Sequence, residues 1–349
     1  MNKRKYRSIF RRIQHLPMGK SFFKYLNNTF LYYYNSKTRS LTLPYPDSIM
    51  LEVTNHCQLS CLTCAREYSF GKTMDKGNMD LNKAKELLKH INIYLNKIGL
   101  TGLGEPLIYP HLEELLDYIN DLNPGISTFI SSNCQLPNTV DILKRLSYKF
   151  DTLQISIDGI GSVFEEIRQN SKFSLFENNI SHIAGLLKKN SFIPKLNMVV
   201  FDKNYFQMKE VLYFAKNYNI SEVYFNSFNL VSNNLPLEIY NFYNTERFKN
   251  ALIETISLAQ ELNIKIFYPK FDAEKGFNHC PYPWGNFYIS FDGYIVPCCA
   301  KPFPKEKNFG NVFDNAIIEC INSEEFINFR KLAKENITPE FCNRCHYIF

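Results

Sequence analysis

From residue 47 onward, short apolar runs alternate with longer amphipathic ones, and this alternation limits the possible folds more than any other feature of the chain. Ser48–Val53, Lys97–Leu103, Ile126–Ser131, Thr152–Ile157, Lys195–Val200 and Glu222–Asn226 read as strands. Leu81–Leu95, Pro110–Leu122, Thr139–Leu146, Val163–Arg168, Phe176–Lys188 and Tyr205–Asn217 read as the helices between them, one opened by Pro110. Six such units imply a parallel sheet, and right-handed crossovers curl it. The expected fold is α/β, a partial (β/α)6 TIM-like barrel, because the repeats needed for eight-fold closure are missing. Functional groups of parallel barrels gather at the C-terminal ends of the strands.

Residues 245–270 read as one further helix and an extended segment. Beyond Asn278 the character changes. Phe287–Phe291 and Tyr294–Pro297 flank Asp292-Gly293, a two-residue hairpin signal, and the tail is rich in Cys, Pro and Asn. The expected division is a basic, aromatic N-terminal helical extension over 1–46, a barrel over 47–274 and a small Cys-rich C-terminal domain over 275–349 containing a β-hairpin. With 349 residues, 45% of them hydrophobic, the chain can build a large core plus a smaller domain.

Charge is uneven. Residues 1–46 hold ten Lys or Arg and no Asp or Glu, so the rest has 30 basic against 34 acidic residues. The same arm carries Phe22, Phe23, Tyr25, Phe30, Leu31, Tyr32, Tyr33 and Tyr34. Its plainer reading is a pair of surface helices docked by their aromatic faces. Its functional reading is a contact with an anionic membrane surface. An RNA or acidic-partner contact is a further reading of the same charge, although nucleic acid is not the expected partner. No apolar run is long enough to span a membrane, and the basic N-terminus lacks the apolar core of a signal peptide. The expected setting is the cytoplasm, with the arm allowing a peripheral place at a membrane.

Ten cysteines in such a chain point to metal or redox work rather than to disulfides. Cys57, Cys61 and Cys64 are spaced C-x3-C-x2-C just after the first strand. Three thiolates on one loop can hold three irons of a [4Fe–4S] cubane and leave the fourth iron open. A structural zinc site would want four ligands in paired spacing, and His56 is awkwardly placed beside Cys57 to be the fourth.

This triplet resembles the signature of the radical S-adenosylmethionine (SAM) superfamily, in which the open iron chelates SAM. Thr101-Gly-Leu-Gly-Glu-Pro106 resembles the family's G-G-x-E-P segment. The resemblance implies that Gly102 and Gly104 let the backbone approach SAM and that Glu105 receives its amino group. Ser131-Ser132-Asn133 and Ser156-Ile-Asp-Gly159 resemble the strand ends that contact the ribose and carboxylate of SAM, which assigns Ser131, Asn133, Ser156 and Asp158. Arg168 matches an arginine that pairs with the SAM carboxylate, and a guanidinium suits that task. Its plainer reading is a solvated helix residue, and that of Asp158 a turn residue. Thr63 departs from the aromatic residue many members carry before the third Cys, so adenine packing falls to Val199 or Val200 on the fifth strand, with Val200 taken as the contact.

Cys280, Gly293-x4-Cys298 and Cys342-x2-Cys345 resemble the auxiliary-cluster (SPASM or "twitch") extension found behind many radical SAM barrels. That resemblance assigns Cys280, Cys298, Cys342 and Cys345 to one auxiliary [4Fe–4S] cluster. Cys299 is an alternative to Cys298, and a zinc ribbon is the plainer reading of the set. Cys134 and Cys320 read as small core residues.

The expected cofactors are therefore a SAM-binding [4Fe–4S] cluster, an auxiliary [4Fe–4S] cluster and SAM, with an external electron donor such as flavodoxin or ferredoxin. The expected reaction is oxidation of a sugar-like alcohol or a peptide side chain, with the auxiliary cluster as electron acceptor. A peptide maturase forming a crosslink or epimer is the alternative enzyme. A non-catalytic metalloprotein binding RNA or a protein partner is the alternative of another class.

Overall fold

A computed structural model describes residues 10–187, 192–231, 235–269, 275–346 and 348. Its centre is one sheet of nine strands: β1 (Ser48–Leu51), β2 (Lys97–Leu100), β3 (Ser127–Ser132), β4 (Thr152–Ser156), β5 (Ile193–Val200), β6 (Glu222–Ser227), β7 (Lys265–Phe267), β8 (Phe287–Ile289) and β9 (Ile295–Val296). The spatial order is β9-β8-β1-β2-β3-β4-β5-β6-β7, parallel throughout except for the β8–β9 pair. The sheet curls into an open, partial barrel. The expected strand–helix alternation is borne out, and the extended segment after residue 245 adds β7.

Each crossover helix follows its local pattern. The helix Leu81–Ile91 is capped by the Asp80 side chain, which accepts from the Lys83 amide, and buries Ala84, Leu87, Leu88 and Ile91 on one face. Leu112–Leu122 buries Leu112, Leu115, Leu116 and Ile119 in the same spacing, and begins two residues beyond Pro110. These helices cover the outer face of the sheet, where Leu51, Leu100, Ile130, Leu153, Ile155, Leu196 and Met198 join one continuous core.

One expectation shifts at the C-terminal end. The hairpin loop is longer than the two residues Asp292-Gly293 would form alone. Ser290 N–H donates to the Tyr294 carbonyl and Gly293 N–H to that of Ser290, leaving Phe291–Gly293 as the tip with Gly293 at φ +92°. The hairpin also does not stand apart from the barrel. β8 pairs in parallel with β1, Met50 opposite Tyr288, so the C-terminal segment extends the barrel sheet.

The N-terminal arm is docked from residue 10 onward, although of its eight aromatic and apolar side chains named above only Tyr25 and Tyr32 are buried. Its long helix, α1 (Lys20–Lys37), turns Tyr25, Asn28 and Tyr32 inward. Tyr25 donates to Asn96 at 3.2 Å, Asn28 exchanges two hydrogen bonds with the Tyr45 backbone, and Tyr32 donates to the Trp284 carbonyl at 3.0 Å. Arg11, ahead of α1, pairs with Asp151 at 2.7 Å. The arm thus touches both the N-terminal rim of the barrel and the C-terminal segment. Among the described residues, no helix is long and apolar enough to cross a membrane.

Candidate functional site

The loop after β1 carries the three cysteines. It is tied down by Arg66, which no motif of the chain singles out. Arg66 is buried, donates to the carbonyls of Cys57 and Leu59, and pairs with Glu67. Ser60–Cys61 also forms a two-residue antiparallel ladder with Arg168–Gln169, Cys61 opposite Arg168. The two-residue strand corrects the reading of Arg168 as a helix residue, because the helix ends at Ile167.

Cys57, Cys61 and Cys64 face one cavity of about 140 Å³ at the C-terminal ends of the strands. Of the residues expected there, Gly102, Gly104, Glu105, Ser131, Asn133, Ser156 and Arg168 also line it, and Thr63 joins them. Asp158 and Val200 do not. Asp158 is buried behind the wall, accepting from Arg168 at 2.8 Å and from the Val199 amide at 2.9 Å. That makes it an anchor for Arg168 and β5, neither a ligand contact nor a bare turn residue. Val200 falls on the wrong side of its strand. Asn197 sits opposite Ser156, which lines the cavity, so Asn197 and Val199 share that concave face while Val200 joins the core. His56 is exposed and lies outside the cavity lining.

The protein around the two glycines also leaves no room for a side chain at either. A Cβ on Gly104 would meet the Thr54 carbonyl oxygen at 2.3 Å, and one on Gly102 would meet Glu52 Cγ at 2.5 Å. Glu105 likewise has protein partners. Its two carboxylate oxygens accept from the amides of Leu107 and Asn133, clamping the β2 and β3 loops together. Asn133 completes this wall, its Nδ2 donating to Cys57 Sγ at 3.5 Å and its Oδ1 accepting from Gln58 at 3.0 Å. Glu52, also unanticipated, is fully buried on the concave side and accepts from Tyr288 Oη at 2.7 Å and the Leu103 amide at 2.9 Å.

The donor set fits an iron–sulfur cluster. Burial pushes the Cys61 thiol up to about 12 and the Cys64 thiol up to about 11, so these thiols ionise at neutral pH only when a cation replaces their protons. Arg168, held by Asp158, adds fixed positive charge, and its Nε is buried without a hydrogen-bond partner. Among the described residues, no three His, Cys, Asp or Glu side chains close on a single metal ion. The thiolates of a cubane do not need to, since each binds a different iron.

The second cysteine set lines a separate cavity of about 550 Å³ with the end of β6. Cys280, Cys298, Cys299, Cys342 and Cys345 all face it, together with Asn226, Ser227 and Asn229. Burial raises the Cys298 thiol, and the nearby Cys299, Cys342, Cys345 and Cys280 raise it further. Cys298 therefore sits among all three of its expected co-ligands. Cys299 lies near Cys280, Cys298 and Cys345 as well, and shares a hydrogen bond with the Tyr282 hydroxyl at 3.1 Å. Asn229 Nδ2 donates to Cys345 Sγ at 3.4 Å. Cys134 and Cys320 are buried in the core, as expected.

Comparison with known proteins agrees with this geometry. The profile of the "Radical SAM superfamily" matches residues 51–215, and that of the SPASM "Iron-sulfur cluster-binding domain" matches residues 280–346. The chain is 22% identical over 280 residues to the antilisterial bacteriocin subtilosin biosynthesis protein AlbA of Bacillus subtilis, covering 80% of this chain and 60% of AlbA. It is 26% identical over 180 residues to the mycofactocin maturase MftC of Mycobacterium tuberculosis, covering 50% of this chain and 42% of that one. This chain therefore spans only part of the length of these relatives. The crystal structure of Streptococcus suis SuiB bound to the precursor peptide SuiA superimposes with a TM-score of 0.68 at 17% identity, covering 93% of this chain and 75% of SuiB. The thiol triplet at the strand ends, the second thiol set and both profiles agree: this chain belongs to the radical SAM superfamily and carries a SPASM domain.

Proposed function

We propose that this radical SAM enzyme modifies a peptide. The observation that carries the reading is the similarity over 80% of the chain to a bacteriocin biosynthesis protein. A mycofactocin maturase among the relatives and a peptide-bound structural neighbour support it. When bound, the cluster and SAM supply a 5′-deoxyadenosyl radical that abstracts a substrate hydrogen, and the SPASM domain supplies auxiliary iron–sulfur chemistry.

The chain's own residues bind and orient. Cys57, Cys61 and Cys64 hold the SAM-binding cluster, and Asn133 donates toward Cys57 Sγ. Ser131 and Ser156 offer hydroxyls from adjacent strand ends to the polar part of SAM. Val199 offers the apolar surface that was expected of Val200. Arg168 lies between Asp158 and the cavity, so one side of its guanidinium is anchored and the other is available to a carboxylate. Glu105 and Glu52 keep the loop from Gly102 to Glu105 in place. Cys280, Cys298, Cys342 and Cys345 hold an auxiliary cluster. The 550 Å³ cavity that these thiols line is where that cluster would sit.

Oxidation of a sugar-like alcohol is the second reading. BtrN, whose structure is in complex with AdoMet and 2-DOIA, shares the fold alone at 15% identity, with a TM-score of 0.51 and 92% of that chain covered, so this reading rests on the sequence expectation. The test is anaerobic incubation of the cluster-loaded protein with SAM and dithionite, alone, with short peptides encoded beside its gene, and with an aminocyclitol. Peptide modification predicts 5′-deoxyadenosine together with a mass change, or deuterium uptake from solvent, in a peptide. An aminocyclitol oxidised while every peptide stays unmodified refutes it.

A further inference from the structure

We propose that α1 is a membrane-surface element that seats this enzyme on an anionic phospholipid bilayer. The helix is 18 residues long, about 27 Å, and has two unlike faces. Tyr25, Asn28 and Tyr32, at i, i+3 and i+7, are the docked face described above. Phe23, Leu26, Phe30 and Tyr34, at i, i+3, i+7 and i+11, form a second stripe that the fold leaves in solvent. Their exposures are 71%, 45%, 66% and 55%. Phe30 and Tyr34 stack on each other there, 6.3 Å between ring centroids. A solvated face would not be built from these side chains, and the docking of α1 does not use them.

Charge selects the occupant. Lys20, Lys24 and Lys37 are exposed on the same helix as the stripe, and residues 1–46 hold ten Lys or Arg and no Asp or Glu. Aromatic and aliphatic side chains on one face, flanked by lysines, are what an interfacial helix presents to acyl chains and anionic headgroups. A second copy of this chain would bring the same cations face to face, which disfavours self-association through the stripe. The opposite face grips Asn96 at the rim of the barrel and Trp284 of the C-terminal segment, so a seated α1 would hold the whole enzyme at the bilayer.

The test is co-sedimentation of the full chain with vesicles of mixed phosphatidylcholine and phosphatidylglycerol, and with vesicles of phosphatidylcholine alone, at low and high salt. The full chain should pellet with the anionic vesicles at low salt, leave them as salt rises and ignore the neutral ones. The double variants Phe23→Ser/Phe30→Ser and Lys20→Glu/Lys24→Glu should each weaken binding about tenfold or more. Both should keep the wild-type circular dichroism spectrum and 5′-deoxyadenosine output in solution. Absence of pelleting at low salt overturns the proposal, as does binding that survives both variants. So does light scattering that shows a dimer dissolved by Phe30→Ser, because the stripe then serves a second copy.

Discussion

Glu52 is where the barrel meets the C-terminal hairpin, and Glu52→Gln tests how that junction is built. The side chain accepts from Tyr288 Oη on β8, from the Leu103 amide in the loop after β2, and from the Phe291 amide at 3.4 Å. Burial raises its carboxyl from 4.5 to about 7, against the opposing pull of those hydrogen bonds. The folded protein thus holds the Glu52 proton more tightly than the unfolded chain does. The stability this contributes is fully present below about pH 4.5 and is lost as pH rises through about 7. The two values lie about 2.5 pH units apart, which at about 1.36 kcal/mol per unit is on the order of 3 kcal/mol. Gln keeps an oxygen for Tyr288 and Leu103 and cannot ionise. Relative to wild type, Glu52→Gln should therefore gain about 3 kcal/mol between acid and neutral pH, most of it from about pH 5 to about pH 7. The assay is denaturant unfolding of both proteins, anaerobic and cluster-loaded, followed by circular dichroism across that range. The comparison at each pH cancels what the two share. A difference that does not change with pH, or a wild type that gains on the variant as pH rises, would refute the burial argument.

Other outcomes can be checked directly. Replacing Cys57, Cys61 and Cys64 by Ala should lower reconstituted iron from about eight to about four per chain and abolish 5′-deoxyadenosine formation; retained SAM cleavage would exclude that triplet as the SAM-binding set. Asp158→Ala strips a buried guanidinium of its partner and should destabilise the fold by about 3–5 kcal/mol, whereas Asp158→Ala/Arg168→Met should recover part of that in unfolding experiments. Failure of the double variant to recover would mean that Asp158 acts mainly through the Val199 amide. Cys298→Ala should remove the auxiliary-cluster signal from electron paramagnetic resonance spectra and Cys299→Ala should keep it, the reverse pattern making Cys299 the ligand. Tyr288→Phe removes one hydrogen bond to Glu52 and should cost about 1 kcal/mol of stability, read from the shift in unfolding midpoint.

Local chemistry made much of this protein legible from its sequence. The strand–helix rhythm from residue 47 to 227 depends on side-chain periodicity, which neighbours in the chain set, and the sheet follows it. The C-x3-C-x2-C loop needs only its spacing to offer three thiolates, and Ser131, Asn133 and Ser156 needed only to stand at strand ends to reach the cavity. Tertiary structure decided what depends on residues far apart in the chain. Arg168 faces Cys61 because its segment bends back as a short strand, and it is anchored because Asp158 lies behind it. Val199 rather than Val200 lies on the concave side of β5 because the β4–β5 register sets which side of the strand points inward. Gly102 and Gly104 are glycines because Glu52 and the Thr54 carbonyl press against them. The Glu52–Tyr288 contact joins residues 236 apart in the chain, and no local pattern could announce it. It exists because β8 pairs with β1, and that pairing becomes favourable only once the whole chain has closed around its core.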